Sequence, residues 1–161
     1  MAKWAELKAA KDTVPGSVEL VHREGPLSFF TWRKTGDVWC LGRTTENHTG
    51  MTEECIRAEG KRLRDEPSVA VEYYQIEGRW MTMFIADREE LLALDCAGAL
   101  LPVVPVGSQW ITGGERKYYL VFSAGQLTGS PVLKVSRGGA EATERPRALQ
   151  PVGSLPEQPC G

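Results

Sequence analysis

Histidine is nearly missing from this chain: among 161 residues only His22 and His48 occur. Imidazole-based acid–base or nucleophilic chemistry is therefore thinly supplied. The four cysteines, Cys40, Cys55, Cys96 and Cys160, follow no Cys-x-x-Cys pattern. A zinc site built from Cys40, His48 and Cys55 would have irregular spacing and no fourth ligand. Cys40 lies in the apolar run VWCL and reads as a small core residue. Glu53 and Glu54 beside Cys55 oppose a thiolate there. No glycine-rich loop leads into Lys-Ser/Thr and no G-x-G-x-x-G occurs, so nothing marks a phosphate cradle.

Long apolar runs and a dominant charge are lacking too. The longest apolar candidate, residues 96–107, is broken by Pro102 and Pro105 and falls short of the roughly 18 residues of a membrane helix. The opening MAKWAELKAAKD mixes charge with Trp and Leu and has no signal-peptide core. A cytoplasmic protein with reduced cysteines is the expectation, with no membrane contact. The formal net charge is −2 and the pI near 5.8, which removes any overall attraction to nucleic acid or anionic lipid.

What is present suits a small soluble domain: 42% hydrophobic and 25% charged residues, enough chain for a real core. Apolar stretches separated by Gly-containing turns predict strands over 17–23, 28–34 and from 37. Two hairpins follow, 68–76 with 79–86 about Glu77-Gly78, and 108–112 with 115–122 about Gly113-Gly114, then a strand over 131–136. Helices are expected over 2–12, over 51–66 from the stripe Met51, Cys55, Ala58 and Leu63, and over 87–96 from an Asp87/Glu90 capping box. The sum is an α+β fold with antiparallel sheets built from hairpins and two or three helices, in the order α-βββ-α-ββ-α-βββ. Residues 1–136 form one domain in this reading, and 137–161 a flexible Pro/Gly-rich tail.

Two fragments carry chemistry. Glu115 and Lys117 are two apart in GGERKYY, which puts them on one face of a strand, with Asp95 upstream. The set resembles the D…ExK signature of the PD-(D/E)XK nucleases. That resemblance implies a Mg²⁺ site at Asp95 and Glu115, with Lys117 beside the attacking water. Asp95 falls at the end of an expected helix, however, and Glu115 at a hairpin tip. The first 66 residues, with REGPLSFFTW, resemble a double-stranded-RNA-binding domain in element order. Arg57, Lys61 and Arg64, on one helix face, would then meet phosphate. The chain departs from that family in TEEC, which sets carboxylates where the family carries a lysine cluster.

Aromatics are the most prominent feature. The doublets Phe29-Phe30, Tyr73-Tyr74 and Tyr118-Tyr119 must each split between two faces of a strand. Either both faces are covered, or one exposes aromatics to a partner. The leading expectation is a non-catalytic binding domain, using Trp32, Trp39, Tyr73 and Trp80 and needing no cofactor. Its expected partner is a protein, with nucleic acid as the alternative and Mg²⁺ confined to the nuclease alternative.

Overall fold

The computed structural model describes Glu6 and residues 8–45, 52–59, 63, 69–76 and 78–161; of residues 45, 69–74 and 76 it describes the backbone. All elements among the described residues are strands: β1 (Glu19–Glu24), β2 (Leu27–Lys34), β3 (Val38–Thr45), β4 (Thr52–Arg57), β5 (Val69–Ile76), β6 (Arg79–Ala86) and β7 (Glu90–Cys96). They continue with β8 (Ala99–Ile111), β9 (Gly114–Ser123), β10 (Gln126–Thr128), β11 (Val132–Arg137), β12 (Ala140–Glu144) and β13 (Glu157–Pro159). The α+β expectation is thus overturned: the described residues are nearly all β, in antiparallel sheets with one parallel pair among them, β10–β13.

Two of the three expected helices have a physical correction. The 87–96 segment is β7, paired with β11 and β8. Its register slips between Ala93 and Leu91, so Leu92 is the extra residue of a β-bulge. The bulge lets Leu91 and Leu94 both face the core, which mimics the i, i+3 spacing of a helix. In the 51–66 segment, Thr52–Arg57 is β4, paired with β3; residues 51, 60–62 and 64–66 lie outside the described residues. Of the 2–12 helix, Glu6, Lys8 and Ala9 have helical backbone, and residues 1–5 and 7 lie outside the described residues.

The chain divides into two compact units, the first comprising 1–63 and 106–116, the second 64–105 and 117–161. The first holds a four-stranded sheet in the order β1-β2-β3-β4. Phe29 and Phe30 point to opposite faces of β2 and both are fully buried. On one face Phe30 and Trp32 join Val18, Cys40 and Val38 in a cluster. Against the other face lies the end of β8. A Cβ at Gly107 would stand 2.8 Å from Leu41 Cδ1 and 3.0 Å from Thr31 Cγ2, and its φ of +139° suits glycine. Two residues on, the buried Gln109 amide donates to Trp39 O at 3.0 Å and Glu54 O at 2.8 Å, tying β3 to β4.

The second unit contains most of a seven-stranded sheet ordered β12-β11-β7-β8-β9-β6-β5. Phe84 from β6, Tyr119 and Val121 from β9, Leu91 and Leu94 from β7, and Leu133 and Val135 from β11 share one core. Residues 137–161, expected as a flexible tail, supply β12, β13 and two core members, Leu149 and Cys160. Gln126 holds this segment: its amide donates to Val152 O at 3.2 Å and Leu155 O at 3.1 Å, while its Oε1 accepts from Val152 N at 2.7 Å. At Gly129 a Cβ would collide with the Gly161 carbonyl oxygen, so only glycine admits the chain end there. On the rim, Arg137 donates to the buried Glu144 at 2.7 Å and lies 3.8 Å from the buried Glu89.

The cysteines are not free thiols. Cys40 bonds Cys55, and Cys96 bonds Cys160. The first pair sits directly across the β3–β4 ladder; the second ties the end of the chain into the core of the second unit.

Candidate protein-binding face

The bulge in β7 has a consequence on the side of the sheet away from the core. With Leu91 and Leu94 turned inward, Leu92 and Ala93 fall on the outer side. Leu92 is 44% exposed and Leu100, on β8, 58%. The register sets two rows across β11, β7 and β8. Val132, Asp95 and Leu100 stand in line, and beside them Lys134, Ala93 and Pro102. Across these two rows the outer surface is apolar, interrupted by Asp95 and Lys134, and the next rung on the same side is Ser136 with the exposed Glu90. All of these residues belong to the second unit.

Asp95 has a local task. Ala97 and Gly98 make the two-residue β7–β8 turn with φ of 51° and 93°, the signature of a hairpin turn of the primed type. Asp95 Oδ1 accepts from Gly98 N at 2.8 Å and braces that turn. The strand order separates β7 from β9, which carries Glu115 and Lys117, by β8. Asp95 and Lys117 belong to the second unit and Glu115 to the first. Lys117 Nζ lies 3.5 Å from Glu90 Oε1. Among the described residues, no three His, Cys, Asp or Glu side chains are grouped to hold a metal ion.

The aromatic candidates part company. Trp32 (1% exposed) and Trp80 (6%) are buried. Trp39 is half-buried, with the Arg33 guanidinium 5.4 Å from its ring centroid. Trp32 pairs with Cys40 and Trp39 with Arg33, so the two tryptophans point to opposite faces of neighbouring strands. Tyr73 lies on β5, of which its backbone is described. For the nucleic-acid set, Arg57 is exposed on β4 rather than on a helix, and Lys61 and Arg64 lie outside the described residues. His22 lies 3.3 Å from Glu24, and His48 is outside the described residues.

Leu92 and Leu100 are absent from the sequence candidates, yet a signal for them existed. Leu91-Leu92 and Leu100-Leu101 are apolar doublets, and on strands such doublets split between faces as the aromatic ones do. Comparison with known proteins yields no match to this chain among family models, curated proteins or solved structures.

Proposed function

We propose that this chain is a non-catalytic domain that binds a protein partner through the outer face of β11, β7 and β8. The observation that carries the reading is the pair of exposed leucines, Leu92 and Leu100, on strands whose opposite side is already filled by core. Water gains nothing from an apolar outer face; a partner that covers it does. The mixed polar groups of the face, Asp95 and Lys134, favour a protein over a polyanion, because phosphate needs a concentrated positive surface. Val152 and Leu155, exposed on the turn held by Gln126, offer a second apolar contact in the same unit. Two disulfides favour an oxidising compartment over a reducing one as the place of action.

The test compares capture by the immobilised intact protein with capture by a Leu92→Asp/Leu100→Asp variant. A partner retained by the wild type should bind the variant at least about a hundredfold more weakly, about 1.4 kcal/mol or more per leucine. Leu20→Asp, an exposed site in the other unit, should leave the affinity unchanged. Equal binding by the face variant and the wild type sinks the reading.

A further inference from the structure

We propose that the Cys40–Cys55 disulfide is a reversible redox latch on β4, opened by an external dithiol while Cys96–Cys160 stays closed. The two bonds differ in access. Cys96 and Cys160 are both buried, at 3% and 4% exposure, within the core of their unit. Cys40 is fully buried, but its partner Cys55 is exposed on β4. Cys55 is thus the one exposed residue among the four bonded cysteines, and exposed disulfides are the labile ones.

What β4 would lose is specific. Cys40 and Cys55 stand directly opposite with Cα atoms 4.1 Å apart, the close spacing of an antiparallel pair that exchanges no backbone hydrogen bonds. At that rung the strands are joined by the disulfide alone. Around it, β4 buries a single side chain, Ile56, and its other residues are exposed. Noncovalent ties come from the neighbouring ladder rungs and from the Gln109 amide to Glu54 O. A strand with one buried side chain and an outer position, as its sheet is ordered among the described residues, is a low-stability element. Opening it would leave β3 with unpaired backbone groups, an edge able to accept an extended segment.

The exchange balances with a dithiol as reductant. Its first thiolate attacks Cys55 Sγ; the Sγ–Sγ bond breaks and Cys40 leaves, taking up a proton. The dithiol's second thiolate then attacks its own sulfur in the mixed disulfide and releases Cys55. Two electrons pass from the dithiol, which becomes a disulfide, and the protein holds two thiols.

The experiment titrates the full chain with dithiothreitol, alkylates freed thiols, maps them by mass spectrometry and measures amide exchange at each step. Cys40 and Cys55 should become alkylated at dithiol concentrations at least about tenfold below those that open Cys96–Cys160. At that stage amides of residues 52–57 should exchange at least about tenfold faster, while those of 132–137 keep their protection. Joint reduction of both pairs, earlier reduction of Cys96–Cys160, or unchanged exchange in 52–57 overturns the proposal. A Cys40→Ala/Cys55→Ala variant should show fast exchange in 52–57 without reductant, and protection as in the wild type would likewise overturn it.

Discussion

The two units solve closure in opposite ways. In the second, strands far apart in sequence share one core, and the end of the chain is carried into it by a bond between residues 64 apart, Cys96 and Cys160. In the first, Cys40 and Cys55 are 15 apart and already neighbours in a ladder. One disulfide brings distant chain together and is shielded by what it gathers. The other reinforces contacts that the hairpins have already made, and sits where those contacts end.

The sharpest way to break this comparison is the double variant Cys96→Ala/Cys160→Ala. Releasing a loop of 64 residues should cost about 4 kcal/mol on chain-entropy grounds, read as a lower urea midpoint with loss of exchange protection in β10 and β11. Next comes Arg137→Ala, which strips the buried Glu144 and Glu89 of a cation. About 3 kcal/mol is expected, the low end for removing one partner of a buried ion pair, because the Arg137 side chain is itself 48% exposed. Thermal unfolding of the variant against Arg137→Lys separates charge from fit. In the first unit, Gly107→Ala should cost about 2 kcal/mol by pressing on Leu41 and Thr31. Amide exchange should rise in β2 and β3 and stay unchanged in β11; a rise in both would erase the distinction between the units. The smallest effect belongs to Leu100→Asp, whose stability should stay within about 0.5 kcal/mol of wild type in urea unfolding.

Much of the strand pattern could be read from the residues themselves. Residues 79–86 were expected as a strand and form β6 over the same span, because RWMTMFIA is bounded by a glycine turn and is rich in strand-favouring residues. Two of the three aromatic doublets also split as expected: Phe29 with Phe30, and Tyr118 with Tyr119, are buried on both sides of their strands; the side chains of Tyr73-Tyr74 lie outside what is described. What covers them was not legible, since a hairpin end can cover a sheet as well as a helix can. The helical misreadings have a common cause. Asp87 and Glu90, spaced as a capping box, fall on the bend before a bulged strand and on its first residue, and Cys55 joins a helical stripe on paper while bonding Cys40 across a ladder. Neither bulge nor cysteine pairing is a local property; both depend on the register of a partner strand. The candidate face was hidden for the same reason, because Leu92 turns outward only once β11 has paired with β7.

The bulge makes chain length a determinant of surface chemistry. Without Leu92, β7 would read Leu91, Ala93, Leu94, Asp95, Cys96, a plain alternation that keeps every inward residue where it is. The strand therefore carries one residue more than its pairing requires, and that surplus residue is displayed rather than packed. A single-codon insertion or deletion at this point could add or erase half of the exposed leucine pair with the interior left untouched, a route to changing what the surface recognises that point substitution in the core does not offer.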